Sequence, residues 1–168
     1  GVLEVCSLAY VITGKPEYYE AAKREAWAIL ELERWYEPKV WNRGAELPTA
    51  ELSLGVGRFW GWCGHRLDEG ECAWFVERAV KLGIEPYLAS VEEYEDWWVN
   101  NPVTNWCGVC HGGCGLLGLA LAEESPLARR AAELAWEHLQ TFTDNALLVD
   151  GAGHEGVMYH RYGMRFSF

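Results

Sequence analysis

Two short segments of the chain carry side chains that could together move a proton next to a carboxylate. The first contains Asn105, which follows Pro102 and Thr104. Proline disfavours helix for the residue before it and threonine is a good cap, so we expect a helix to begin near Thr104. Asn105 then lies in the first turn, where unpaired N–H groups and the helix dipole favour an anion, and its amide can donate to a carboxylate. A capping asparagine without chemistry is the alternative.

The second segment contains Glu155, Tyr159 and Tyr162, which are spaced i, i+4, i+7 and would share one face of a helix. A glycine-rich turn at residues 150–153 directs the start of that helix toward the same region. Aromatic stripes usually pack into a core, but a glutamate within such a stripe is rarely buried unpaired. The spacing therefore favours a polar site, with core packing as the alternative.

The composition limits the class of protein and its partners. The 168-residue chain suits one domain with a substantial core, because 50% of its residues are hydrophobic and 23% are charged. Its net charge of −11 argues against a nucleic acid or an acidic membrane as partner, since phosphate groups need clustered Lys and Arg. An acidic polysaccharide would require a local concentration of basic side chains. No apolar run reaches the roughly 18 residues of a membrane span.

The apolar spacing is helical almost throughout and predicts a repeat. Amphipathic helices begin near Pro16, Glu71 and Pro126, at intervals of 55 residues. Each is preceded by a helix rich in glycine and small residues, and a helix that is apolar on most sides is usually buried on most sides. These predicted inner helices cover roughly residues 3–13, 49–67 and 104–123, with a fourth at 155–168.

Alternating inner and outer helices are how a helical solenoid or toroid is built. We therefore predict an all-α chain of helix hairpins, with residues 1–168 forming a single domain that is a fragment of a larger (α/α) toroid. The fourth inner helix has no outer partner and the first begins abruptly, which is why a fragment is expected. An accidental period of 55 residues is the alternative.

The residues of both segments resemble the heparinase II/III and alginate lyase group of polysaccharide lyases. The resemblance is carried by Asn105-Trp106, the following Val-Cys-His-Gly-Gly and Gly-Leu-Ala-Leu-Ala stretches, and Asp-Gly…Glu155-Gly-x-x-Tyr159-x-x-Tyr162. It is clearest over residues 94–166. It implies an (α/α) toroid followed by β-sandwich domains of the same polypeptide, with the active-site cleft between them, and a secreted or periplasmic location.

The resemblance also implies roles for individual residues. Asn105 corresponds to the group that neutralises a uronate carboxylate. Tyr159, one hairpin repeat or 54 residues later, corresponds to the general acid, with a role as base left open. Family members also use a histidine from later segments, which this chain lacks. The residues expected to contact substrate are Trp98, Trp106, His154, Glu155, Arg161 and Tyr162.

These roles fit β-elimination at a uronic acid. The C5 proton is weakly acidic while the neighbouring carboxylate keeps its full charge, so donors to that carboxylate stabilise the enolate-like state. A base removes the C5 proton and an acid protonates the departing O4. A phenol, with an ordinary pKa of about 10, needs cationic or hydrogen-bonding neighbours to act as a base. His154, His160 and Arg161 lie close to Tyr159 in sequence.

Two other carbohydrate functions remain open. A helical-toroid glycoside hydrolase would need two carboxylic acids across the cleft, and Asp150 and Glu155 are the available candidates. A carbohydrate-binding or scaffold fragment would keep the fold without the chemistry.

A further alternative concerns Cys107-x-x-Cys110-His111, which has the attachment pattern of a c-type haem protein. With Cys114 it could also indicate a metal or an iron–sulfur cluster. No second C-x-x-C follows, and the motif lies within a glycine-rich predicted inner helix. Buried thiols that permit close helix packing are the favoured interpretation. We therefore expect no cofactor and no metal.

Overall fold

The computed structural model describes residues 1–39 and 42–166 of the chain. Within these ranges the chain forms helices joined by turns and loops, with two isolated β-bridges and no strand. The prediction of an all-α chain is confirmed. The helices are α1 (Val2–Thr13), α2 (Pro16–Leu30), α3 (Leu47–Cys63), α4 (Glu69–Ala79), α5 (Glu85–Leu88), α6 (Asn105–Ala120), α7 (Pro126–Asn145) and α8 (Val157–Met164).

The helix starts follow the local chemistry of their caps. Helix α7 has Pro126 in its first turn, and the hydroxyl of Ser125 accepts a hydrogen bond from the backbone N–H of Ala128. Helix α4 begins at Glu69 instead of the expected Glu71, because the carboxylate of Asp68 accepts from the N–H of Glu71 at 2.8 Å. The amphipathic helices therefore begin at residues 16, 69 and 126, and their spacing is not constant.

The second amphipathic helix continues past Ala79 through two π-helical stretches, Val80–Ile84 and Ala89–Tyr94, which flank α5. The expected helical period fails here because π-turns hold one more residue than α-turns. Pro86, which has no N–H to donate, lies between these wide turns. We call the continuous segment of residues 69–94 the outer helix.

Helices α1, α3, α6 and α8 form one row, in which each contacts the next. A Cβ added to Gly113 would lie 2.2 Å from the Ala50 carbonyl oxygen, and one added to Gly57 would lie 3.1 Å from the Leu117 Cα. The contact positions advance together along α3 and α6, so these two helices run parallel. Glycine at these positions lets the backbones touch.

Burial supports the distinction between inner and outer helices for the middle of the chain. In α6, 12 of 16 residues are buried, whereas in α7 only five of 20 are. The prediction of a buried inner helix is wrong for α1, where Val5 is 67% and Ile12 is 73% exposed. Helix α1 packs mainly against α2 and α3, and the side that carries Val5 and Ile12 is exposed.

The predicted fourth inner helix is shorter than expected. It begins at Val157, not at Glu155, and ends at Met164, while residues 167 and 168 lie outside the described ranges. Glu155 therefore precedes the helix, and the expected helical face shared by Glu155, Tyr159 and Tyr162 does not exist. Gly156, with a φ of 84°, turns the chain into α8 and leaves Glu155 in the preceding turn.

Candidate functional site

The N-terminus of α6 holds a carboxylate. Asn105 is the first residue of this helix, as predicted, and is only 6% exposed. Its backbone N–H and its side-chain amide both donate to the same oxygen of Glu155, and the amide nitrogen lies 2.9 Å from that oxygen. An anion is favoured here because the first-turn N–H groups lack helical partners and the helix dipole is positive.

Thr104 does not act as the predicted side-chain cap. Its hydroxyl donates to the carbonyl oxygen of Asn101 at 3.1 Å, so it turns back toward the preceding loop. Glu155 takes over the capping role from 50 residues further along the chain. A sequence pattern could identify the helix start, but not a cap supplied by a distant turn.

The cleft beside Asn105 is almost filled. It is lined by residues from three regions of the chain: Val103, Asn105, Phe142, Ala146, His154, Glu155 and His160. The free space within it is about 10 Å³, close to the smallest volume that can hold one water. With Glu155 in place, a sugar cannot enter this cleft.

The two predicted tyrosines have different surroundings. Tyr159 lies in the first turn of α8, is 60% exposed, and does not line the filled cleft. Tyr162 is half-buried, and its hydroxyl donates to a carboxylate oxygen of Glu51 on α3 at 2.5 Å. Burial and this carboxylate raise the pKa of Tyr162, so its phenol stays protonated and links α8 to α3.

The remaining side chains predicted to contact substrate are only partly brought together. His154 lines the cleft beside Asn105, whereas Arg161 is an exposed residue of α8 that does not. His160, which the sequence places only as a neighbour of the Tyr159 phenol, lines the cleft. Because His160 follows Tyr159 by one residue on α8, its side chain lies on a different face and lines the same cleft as Asn105.

The adjacent tryptophans Trp97 and Trp98 have different surroundings, and only one of them is accessible. Trp98, predicted to contact substrate, is fully buried, and its indole N–H donates to the Asn42 side-chain oxygen at 3.0 Å. Its neighbour Trp97 is 42% exposed and lies 5.3 Å, centroid to centroid, from the half-buried ring of Trp106. A turn in the loop sends the two adjacent indoles to opposite sides, so Trp97 and Trp106 form the accessible aromatic pair.

The Cys-x-x-Cys-His motif lies in the core. Cys107, Cys110 and His111 are all buried. The imidazole of His111 accepts a hydrogen bond from the Tyr87 hydroxyl at 2.7 Å and donates to the Val99 carbonyl oxygen at 3.2 Å, so neither ring nitrogen can bind iron. This arrangement fits the packing interpretation of the motif and contradicts haem attachment.

The thiols and the neighbouring histidine are held in neutral form. Burial raises the pKa of Cys107 to about 12 and also raises that of Cys110. Burial, together with the stacked ring of His138 at 4.3 Å, lowers the pKa of His111 to about 3. No group of three or more His, Cys, Asp or Glu residues that could hold a metal occurs in the described ranges.

Comparisons with models of known protein families and with curated proteins find no match for this chain. Among the helices of residues 1–39 and 42–166, none is long and apolar enough to cross a bilayer.

Proposed function

We propose that this chain is the helical part of a polysaccharide lyase that cleaves a uronic-acid-containing acidic polysaccharide by β-elimination. The observation that supports this most is the carboxylate of Glu155, held by two donors of Asn105 at the N-terminus of α6. A uronate carries the same functional group and would accept hydrogen bonds from the same donors. The resemblance of residues 94–166 to the heparinase II/III and alginate lyase group gives Asn105 the same role.

Carboxylate binding at this position would favour removal of the C5 proton. As that proton leaves, negative charge moves into the carboxylate, and a fixed N–H, a fixed amide and the dipole of α6 stabilise it more than in the ground state. Asn105 is almost fully buried, so its donors are already oriented before substrate arrives. Because these donors are fixed in advance, the free-energy cost of reorienting water dipoles around the developing charge is avoided.

Tyr159 is the residue we assign to proton transfer to O4, with a role as base left open. Its exposed side chain can reach a polymer on the surface, whereas Tyr162 is bound to Glu51. Tyr159 and Asn105 belong to α8 and α6, which contact each other in the inner row. A histidine from a later part of the polypeptide would complete the site.

Glu155 must leave Asn105 before a uronate can bind. The turn that carries it is exposed from Leu147 to Ala152, and Gly151 and Gly156 both have positive φ values. Few packed side chains hold this turn, so a substrate carboxylate can replace the Glu155 carboxylate with little loss elsewhere. The proposal thus describes a site that is closed by its own carboxylate until substrate displaces it.

The helix arrangement supports the finer fold proposal. Parallel inner helices that alternate with outer ones would form part of an (α/α) toroid, with β-sandwich domains of the same polypeptide closing the cleft. The exposed Trp97 and the half-buried Trp106 next to it, near the N-terminus of α6, offer rings on which a sugar can stack. A secreted or periplasmic location and the acidic polysaccharide partner belong to the same proposal.

The test is the formation of an unsaturated uronate. The chain within its full-length polypeptide is mixed with alginate, polyglucuronate or heparan sulfate, and ultraviolet absorbance of the new C4–C5 double bond is followed. Asn105→Ala and Tyr159→Phe should each lower kcat by about 100-fold or more, because each removes one transition-state interaction. Tyr18→Phe, on α2, is the matched control and should leave the rate unchanged.

The outcomes separate the three carbohydrate functions. Polymer cleavage without the absorbance would mean hydrolysis and would overturn the lyase proposal. Binding without any cleavage would support a carbohydrate-binding fragment. Equal loss of activity in Tyr18→Phe and Tyr159→Phe would show that the exposed phenol of α8 has no special role.

A further inference from the structure

A second pocket lies between the outer helix and the loop of residues 31–46, which we call the anchored loop. Its volume is about 300 Å³, at the small end of the range for ligand pockets. It shares no lining residue with the cleft at Asn105. The described residues of the anchored loop, 31–39 and 42–46, contain no helix or strand, and a connection of this length is long for a compact domain and usually has a function.

The anchored loop is fixed by hydrogen bonds from buried side chains. The buried carboxylate of Asp96 accepts from the N–H groups of Arg43 and Gly44, at 3.0 and 3.1 Å. The hydroxyl of Ser90 accepts from the N–H of Ala45 at 2.7 Å. A Cβ added to Gly44 would lie 2.2 Å from the Ser90 hydroxyl oxygen, so this part of the loop touches the outer helix.

The start of the anchored loop is held as well. The guanidinium of Arg78, on the outer helix, donates to the carbonyl oxygens of Leu30 and Leu32, both at 2.8 Å. The two ends of the loop are therefore fixed to the same helix. A pocket with fixed walls loses little conformational entropy when a ligand binds.

The charged side chains of the pocket are not paired with one another. Arg34, Arg43 and Lys81 line it together with Glu33 and Glu85. In the described part of the chain, none of these five forms an ion pair. A local excess of positive charge is unusual in a protein whose net charge is −11. These charges can therefore be compensated by a ligand.

Arg43 shows how the positive charge is held in place. One of its guanidinium nitrogens donates to the Tyr94 carbonyl oxygen at 2.9 Å, and the group lies 4.6 Å from the centroid of the Tyr94 ring. Both partners are uncharged, so they orient the guanidinium without neutralising it. Tyr36 adds a second, partly exposed ring to the pocket lining.

We propose that this pocket binds one acidic sugar residue. Arg34, Arg43 and Lys81 would bind its carboxylate or sulfate through charge-assisted hydrogen bonds. Glu33 and Glu85 would accept hydrogen bonds from its hydroxyl groups, and Tyr36 would pack on the ring. The inference does not depend on elimination at Asn105, but in a lyase the pocket would be an additional subsite for the same polymer.

The experiment measures binding of D-glucuronate to the chain by NMR titration, with D-glucose and inorganic sulfate as comparison ligands. It is done in the Asn105→Ala background, which removes the side-chain donor of the other carboxylate site. We expect glucuronate to shift the ring resonances of Tyr36 and Tyr94. The double variant Arg34→Glu/Lys81→Glu should weaken binding by about tenfold or more, since two charge-assisted contacts are lost.

The matched control is Lys15→Glu/Arg24→Glu, which changes the net charge equally at two exposed residues outside the pocket. It should retain the affinity of the parent protein. Equal weakening by both double variants would overturn the proposal in favour of long-range charge alone, and equal affinity for sulfate and glucuronate would reduce the pocket to an unspecific anion site. If glucuronate bound the pocket but the protein showed no elimination activity, the lyase proposal would be rejected and the pocket proposal would stand.

Discussion

At the scale of single residues, the contact between Glu155 and Asn105 decides whether the N-terminus of α6 is open. The carboxylate stabilises the helix start and at the same time excludes another carboxylate from it. In the proposed lyase, stability and substrate binding therefore oppose each other at one side chain. Such opposition is common at functional sites, where an interaction that stabilises the free protein must be given up.

Replacing Glu155 tests this opposition. Glu155→Gln keeps the shape of the side chain but removes the charge that the N–H groups and dipole of α6 favour, so the free energy of unfolding should fall by about 1 kcal/mol. The same change should lower the KM for a uronate polymer, because the competing carboxylate is gone. Denaturant unfolding and steady-state kinetics measure the two effects.

Glu123→Gln is a suitable control, since Glu123 is an exposed carboxylate far along the chain from α6's first turn. It should change neither quantity. If Glu155→Gln lowered stability and left KM unaltered, Glu155 would be only a cap, and substrate would bind elsewhere.

The sequence predicted the amide of this site better than its surroundings. Asn105 stands at the start of α6, and Pro102 is a local signal in the sequence that predicts this start. The Glu155 cap and the burial of Trp98 depend on loops that fold back across the chain, and no local pattern encodes them. The exposed position of Tyr159 follows from the late start of α8, which Gly156 sets.

At the scale of elements, the inner helices depend on glycine where their backbones meet. Gly113→Ala would place a methyl group 2.2 Å from the Ala50 carbonyl oxygen of α3. Because backbone cannot move aside as a flexible side chain can, we expect a loss of about 1–3 kcal/mol in the free energy of unfolding. Thermal or denaturant unfolding monitored by circular dichroism measures it.

Gly61→Ala provides the contrast. Gly61 lies on α3, is exposed, and has nothing within 4 Å of an added Cβ. Alanine has the higher helix propensity, so this change should stabilise the protein by about 0.5–1 kcal/mol. Similar effects of both substitutions would mean that α3 and α6 are not in close contact at Gly113.

Helix boundaries were predictable where a cap or a proline marks them, as at Pro16 and Pro126. The constant 55-residue period was not correct, because the Asp68 cap moves α4 and the π-turns lengthen the outer helix. The composition of α1 overestimates its burial. An apolar helix is buried on all sides only where other helices surround it, and the sequence does not show which neighbours are present. The toroid remains a prediction.

At the scale of the whole molecule, the neutral His111 in the core makes stability depend on pH. Its pKa is lowered to about 3 in the folded protein, from an ordinary value of 6.5. Below pH 6.5 the unfolded chain binds a proton that the folded chain does not, so the free energy of unfolding falls as pH decreases toward 3. About one unit above pH 6.5 the unfolded chain no longer binds this proton, and the contribution is fully present.

We expect the free energy of unfolding to decrease by about 1 kcal/mol between roughly pH 7.5 and 5.5 on account of His111. The pKa of His138 is also lowered by burial, and it acts in the same direction. Urea unfolding at the two pH values measures the change. The ordinary carboxylate titrations lie lower, near pH 4, which keeps this window clear of most of them.

The variant His111→Gln should reduce this pH dependence, whereas His154→Gln, at an exposed position, should leave it intact. A free energy that stays constant across the window would show that the imidazole is protonated in the folded core. The hydrogen bond from Tyr87 would then have to be absent.

The two wide turns of the outer helix have a consequence for changes in chain length. Each holds one residue more than an ordinary turn. Losing a residue there would restore regular winding and leave the downstream residues close to their present orientation, whereas losing one from α4 would rotate everything downstream by about 100°. The second change would turn Ser90 away from Ala45, and Tyr94 away from Arg43. Single deletions within the wide turns should therefore harm the molecule less than single deletions within α4.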